Sequence, residues 1–342
     1  MRYIGGKSLL VDNISKIIDD NCGDAKSILD IFSGSGVVSQ YFTDRGFDVI
    51  TNDFLYFSYV IARGTIGIKA APKFAKLPFD NVFDYLNNLT IEQTDFDLDE
   101  CFIYKNYSPN ERCNRMYFQN DNALKIDIIR LQIEKWLKDN LLDDDEYFFL
   151  LAALINAVPY VSNITGTYGA YLKFWDKRTF KKIELIPNDI FFKKINSARC
   201  FNKDFKDALK IKSDILYADP PYNSREYLPN YHVLETIARY DYPTIKGVTG
   251  LRNYDTQKSP FCRKNMVGEA FCTLIREAKA KYIIISYNNE GLISADELSN
   301  ICKKYAINDS FKLYEYDYRR YKNKIPNNKA GLKEQIYFIR RQ

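Results

Sequence analysis

The chain has 342 residues, of which 46% are hydrophobic and 27% charged, with a formal net charge of +5. That length suits two domains, or one large domain carrying an insertion, and the apolar fraction is enough to bury a sizeable core. The composition excludes global disorder and a membrane span, and the mild positive charge permits a nucleic-acid partner without demanding one.

The first residues, Met1-Arg2-Tyr3-Ile4-Gly5-Gly6-Lys7, carry no signal-peptide pattern, so a cytoplasmic protein is expected. Leu9, Leu10, Ile14, Ile17 and Ile18 recur at helical spacing. Residues 27–32 read as a buried strand that runs into the tight turn Ser33-Gly34-Ser35-Gly36. A helix is predicted over 37–45, a strand over 48–51 and a further helix to about Gly64. Strand, glycine turn, helix, strand is the opening of a doubly wound α/β sheet.

From about Thr65 to Asn188 the alternation stops. Helices are predicted over 79–89, 122–137 and 145–158, and two stretches, 101–119 and 159–178, are rich in Tyr, Asn, Lys and Arg. Residues 66–194 therefore read as an insertion, and 1–65 together with 195–342 as the α/β domain. There a strand is predicted over 213–218, then a long polar loop to about Pro260 with a helix near 231–240. A helix over 267–279, a buried strand over 282–286, a helix over 295–305 and strands over 311–318 and 334–339 complete the pattern. The 7 cysteines are scattered without a C-x-x-C pair, and His232 is the single histidine, so neither a disulfide framework nor a metal site is expected.

Four segments carry chemistry. In Asp30-Ile31-Phe32-Ser33-Gly34-Ser35-Gly36, glycine after a strand lets the backbone turn tightly and approach a ligand. Asp53, ending the second strand, suits the ribose of a nucleoside-containing cofactor, or else a helix N-cap. Asp204, followed by Phe205, suits an adenine amine and ring, or again a cap. In Asp219-Pro220-Pro221-Tyr222 a strand ends on a carboxylate beside a proline-locked carbonyl, followed by an aromatic ring. Two acceptors in fixed geometry and a stacking face suit an extruded base bearing an amine.

Together these residues resemble the Dam-type, alpha-group family of adenine-specific DNA methyltransferases, and within it a subgroup of restriction–modification methylases that Asp219 to Tyr227 is similar to. The order of segments is also the family's: Tyr3 to Lys7, the glycine turn, a target-recognition insertion, then Asp219 to Tyr222. The resemblance implies a Rossmann-like S-adenosylmethionine-dependent methyltransferase fold with a mixed, mostly parallel sheet and a largely helical inserted domain. It implies that Tyr3 and Lys7 pack by the methionine part of the cofactor. Asp30, Phe32, Gly34, Gly36 and Asp219 would line the cofactor, Asp53 would hold its ribose, and Asp204 with Phe205 its adenine. Asp219, Pro220, Pro221 and Tyr222 would act on the target base.

The partner implied is double-stranded DNA, with a short recognition site such as CATG, in the prokaryotic cytoplasm, alongside a cognate restriction endonuclease acting separately. Candidate DNA contacts are Asn163, Thr165, Tyr168 and Lys173 in the polar, glycine-rich loop, Arg225 and Tyr227 after the catalytic segment, and Arg319 and Arg320 near the end. An RNA amino-methyltransferase is the competing enzyme reading, and a DNA-binding module without activity the non-enzyme one. A dinucleotide oxidoreductase fits poorly, because Ser39 stands where the third glycine of G-x-G-x-x-G would be.

Overall fold

The computed structural model describes residues 5–187, 198–317 and 333–341. In chain order its elements are α1 (Val11–Asn21), β1 (Ser27–Asp30), α2 (Val37–Asp44), β2 (Asp48–Asn52), α3 (Tyr56–Arg63), α4 (Val82–Asn88), α5 (Phe102–Tyr107), α6 (Asn120–Lys138) and α7 (Asp144–Ala157). They continue as β3 (Arg199–Phe201), α8 (Phe205–Ala208), β4 (Ser213–Ala218), α9 (Leu228–Arg239), β5 (Ile245–Lys246) and β6 (Leu251–Arg252). Last come α10 (Val267–Glu277), β7 (Ala280–Asn288), α11 (Ala295–Tyr305), β8 (Lys312–Asp317) and β9 (Lys333–Arg340). None of the described helices is long and apolar enough to cross a membrane.

The chain divides into two compact units. The sheet unit comprises Lys7–Phe54, Phe201–Tyr227 and Thr256–Gln342; the helical unit comprises Met1–Gly6, Leu55–Cys200 and Leu228–Asp255. Among the described residues the sheet has seven strands in the order β3-β2-β1-β4-β7-β9-β8. β1 pairs in parallel with β2 and with β4, and β4 with β7, while β9 runs antiparallel to both β7 and β8. This is the mixed, mostly parallel sheet of the expected methyltransferase fold. Central strands buried on both faces need apolar runs rather than alternation, and β4 and β7 supply them with Ile215-Leu216-Tyr217-Ala218 and Tyr282-Ile283-Ile284-Ile285. Leu29, Leu216, Ile283 and Ile285 pack in one core with Phe271 and Leu274 of α10 and Leu298 of α11.

In the helical unit α7 is buried almost all round, with Leu150, Leu151, Ala152, Leu154 and Ile155 inside. Asp143 and Glu146 close a capping box at its start. Gly64, just past α3, lies so near α7 that a Cβ there would come within 2.1 Å of the Phe148 carbonyl oxygen. Two departures from the sequence pattern occur in Leu228–Asp255. α9 starts at Leu228, three residues earlier than the predicted helix, because Pro229 sits in the first turn, where its missing N–H costs no intrahelical bond. The polar segment that follows forms a short antiparallel pair, β5 with β6, and packs with the helical unit rather than with the sheet.

Candidate active site

The candidate residues gather at the carboxyl edge of the parallel strands, where open α/β sheets bind ligands. β1 ends at Asp30, β2 at Asn52 and β4 at Ala218, and the register sets Asp30 beside Tyr217, two residues before Asp219. Asn52 ties three strand ends. Its Nδ2 donates to the carbonyl oxygens of Ile31 and Lys203 at 3.2 and 3.1 Å, and its Oδ1 accepts from Lys203 N at 3.0 Å.

Both glycines of the turn adopt left-handed backbone, Gly34 at φ 51° and Gly36 at φ 76°, which a side chain would strain. Among the described residues, chain neighbours aside, nothing lies within 4 Å of where a Gly36 Cβ would stand, so the turn is open at that point. The Gly34 N–H donates to Asp53 Oδ2 at 2.7 Å, joining the turn to the acid beyond β2. Asp30 lies buried beneath, accepting from Ser39 Oγ at 2.7 Å, with its other oxygen unpartnered. Burial first, then the neighbouring charges of Asp219 and Asp53, push its carboxyl up to about 7. Phe32, Phe205 and Phe261 form an aromatic wall, with centroid separations of 5.2–6.1 Å. Asp204 accepts from Lys206 N at 2.9 Å and so caps α8, the capping half of the two readings; its residue is half-buried, beside Phe205.

Asp219 follows β4 directly and is 17% exposed. Lys7 Nζ stands 3.1 Å from its Oδ1 and 2.5 Å from Glu334 Oε1. Burial raises the Asp219 carboxyl to about 7; the Lys7 ammonium opposes this and Glu334 adds to it. Burial alone would lower the Lys7 ammonium, but the two carboxylates outweigh it and hold it above its ordinary value. Pro220 is buried and Pro221 half-buried, and Tyr222 is buried with its ring edge-on to Tyr287 at 6.4 Å and 5.9 Å from Lys7 Nζ. The Tyr222 carbonyl accepts from Leu292 N at 3.1 Å, pinning the end of the segment. Glu334, Ser286 and Tyr287, from β9 and β7, are site residues that the sequence pattern does not announce. They interrupt strands that are buried almost continuously, and a polar residue within such a run is the signal that could have found them.

The nucleic-acid candidates separate by burial. Thr165 and Lys173 are exposed, as is Arg225, and Tyr227 is half-buried. Asn163 and Tyr168 are buried and serve the loop itself. Asn163 Nδ2 donates to the carbonyl oxygens of Leu172 and Phe174, its Oδ1 accepts from Asp176 N, and the Tyr168 hydroxyl lies 2.8 Å from Ser162 Oγ. These two side chains are therefore not surface donors: their polar atoms close a turn inside the helical unit. His232 belongs to the same scaffold. Burial lowers its imidazole to about 4, and its Nε2 lies 2.9 Å from the Tyr168 carbonyl oxygen. Tyr3, Arg319 and Arg320 lie outside the described residues.

The model of the D12 class N6 adenine-specific DNA methyltransferases matches residues 3–301. The chain is 43% identical to the type II methyltransferase M.FokI of Planomicrobium okeanokoites over 100% of its own length and 53% of that protein's. It is 41% identical to the modification methylase StsI of Streptococcus sanguinis, over 100% of the chain and 52% of the relative. It thus spans about half the length of these two. With the type II methyltransferase M.NlaIII of Neisseria lactamica it shares 37% identity over 94% of the chain and 92% of the relative. A match over most of the chain, on a sheet edge that carries the glycine turn and the Asp219 segment together, places it: the chain belongs to the D12 class N6 adenine-specific DNA methyltransferase family.

Proposed function

We propose that this chain transfers a methyl group from S-adenosylmethionine to the exocyclic N6 amine of an adenine flipped out of duplex DNA, in a restriction–modification setting. The observation that carries the reading is the placement of two devices at the ends of adjacent parallel strands. One is a left-handed glycine turn bonded to Asp53, after β1; the other is Asp219 with its proline-locked loop, after β4.

The residues present fit the cofactor. The turn is open above Gly36, Asp53 stands at the neighbouring strand end, and Phe32 and Phe205 offer apolar ring surface. Bound S-adenosylmethionine supplies a methyl carbon made electrophilic by its sulfonium. The chain's own residues act on the amine, whose lone pair is delocalised into the base. Asp219 and the Pro220 carbonyl accept its two hydrogens, which favours a tetrahedral nitrogen with its lone pair free to attack. Preorganised acceptors of this kind supply several kcal/mol. Asp219 also takes up a proton as the amine gains its methyl group. The Tyr222 ring stacks on the base, for about 1–3 kcal/mol.

Target recognition falls to the helical unit. Its loop presents Thr165 and Lys173 beside exposed Tyr160, Phe174 and Phe180 and the exposed Lys177 and Lys181, a mixture of phosphate-neutralising cations and stacking rings. A separate cognate endonuclease is the expected companion. The test is transfer of tritiated methyl from the cofactor to duplex DNA and to RNA, with the modified base identified. N6-methyladenine in DNA supports the reading, and label confined to RNA replaces it with the RNA enzyme.

A further inference from the structure

Lys7, Asp219 and Glu334 are remote in sequence and meet inside the sheet unit. The Lys7 ammonium is buried and sits closer to Glu334 Oε1, at 2.5 Å, than to Asp219 Oδ1, at 3.1 Å. Glu334 is buried on β9, where Ser286 Oγ of β7 donates to the same Oε1 at 3.1 Å. It lies beyond residue 301, where the family match ends.

We infer that Glu334 is a positioning residue for the methyl transfer: it holds the Lys7 ammonium toward β9, so that Asp219 keeps a looser cation contact and remains an acceptor for the target amine. The inference rests on the adenine-methylation reading. Charge interactions strengthen as the dielectric falls, so a buried ammonium between two carboxylates favours the nearer one. With Glu334 neutral, the whole ammonium would settle on Asp219. A carboxylate committed to an ammonium competes poorly for the weak hydrogens of a neutral amine. With Lys7 absent, Asp219 would face negative neighbours alone and would hold a proton, and a protonated carboxyl has lost much of its accepting power. Two charged groups act on Asp219, Lys7 from the N-terminal segment and Glu334 from β9; Asp219 in turn acts on Asp30 of β1 and Tyr217 of β4, and the Tyr222 ring of its own loop lies by Lys7. Of these, Glu334 can be neutralised at constant shape while Asp219 and Lys7 are left in place.

The experiment uses the full chain with Glu334→Gln and two readouts. The first is the titration of Asp219, followed by carbon-13 NMR of labelled aspartate carboxyls and assigned with Asp219→Asn. The second is the pH profile of methyl transfer to duplex DNA. Asp219 is expected to titrate about one pH unit lower, with the acid limb of the profile following it. The kcat falls roughly tenfold or more, while the KM values for cofactor and DNA hold. Lys7→Met moves the titration the other way. If Glu334→Gln does not fold, Glu334→Asp keeps the charge but withdraws it by one methylene, and gives a smaller downward shift. An Asp219 titration that stays put or rises in the folded Glu334 variant overturns the inference. A wild-type chain that methylates no DNA adenine overturns the functional reading instead, and the NMR titration still decides whether Glu334 governs Asp219.

Discussion

Gly34 and Asp53, 19 residues apart, are joined by a hydrogen bond of 2.7 Å from the Gly34 N–H to Asp53 Oδ2. The bond makes the glycine turn after β1 and the acid after β2 one rigid edge, so the turn is set before a ligand arrives. Asp53→Ala removes a buried, charge-assisted acceptor, which costs about 1–3 kcal/mol. Cofactor affinity measured by calorimetry is expected to fall at least tenfold, while Asp53→Glu, whose longer arm misplaces the carboxylate, recovers little of it.

Asp219→Ala is expected to abolish methylation while leaving cofactor affinity within about threefold, because the glycine turn and Asp53 are untouched. Full turnover by this variant would refute the assignment. In the wild-type chain the proposed acceptor role requires an ionised Asp219, whose carboxyl is raised to about 7 chiefly by burial. The rate under saturating cofactor and DNA is therefore expected to decline as pH falls through about 7, well above the range of an ordinary carboxylate.

Asp30 predicts a stability effect of defined sign. Its carboxyl is raised to about 7 by burial, against an ordinary value of 3.8. Between those values the unfolded chain releases the proton and the folded chain retains it. The contribution of Asp30 is thus fully present below about pH 4 and lost as pH rises through about 7. Asp30→Asn keeps an oxygen for the Ser39 hydroxyl and removes the charge. Urea unfolding is expected to show almost no gain at pH 3 and a gain that rises to on the order of 4 kcal/mol by pH 8.

The exposed lysines of the helical unit predict a salt effect. Each of Lys173→Gln and Lys181→Gln is expected to reduce the slope of log affinity for duplex DNA against log salt by about 0.9, with little change in kcat. Two controls, Asn163→Ala and Tyr168→Phe, should behave differently: the first destabilises the helical unit by about 1–3 kcal/mol through its stranded backbone partners, and neither alters the slope. Unchanged slopes in both lysine variants would remove this loop from the interface.

Much of the sheet unit was legible because its signals are local. Residues 27–36 combine an apolar run with glycines that the turn needs at φ 51° and 76°, and the paired prolines after Asp219 end a strand whatever surrounds them. The helices α6 and α7 were legible as the helical stretches 122–137 and 145–158, within a few residues of their observed bounds. Asn163 and Tyr168 misled because polar residues among glycines look like surface, yet an amide that satisfies three backbone groups is as well placed inside. Asp204 stood equally between ligand and cap, since one carboxylate suits both, and only the bond to Lys206 N shows the cap.

What the sequence determined by itself is the chemistry on offer: a glycine turn, an acid one βα unit later and a carboxylate locked beside two prolines, each written in consecutive residues. What the tertiary structure alone decided is which distant groups share that chemistry. No local pattern places β9 antiparallel between β7 and β8, and without that insertion Glu334 would not meet Lys7 across 327 positions of sequence. Strand order is settled by the burial of whole faces and by the charges that must be paired once buried. The ionisation of Asp219, and with it the working range of the site, therefore belongs to the fold rather than to the four residues that announce it.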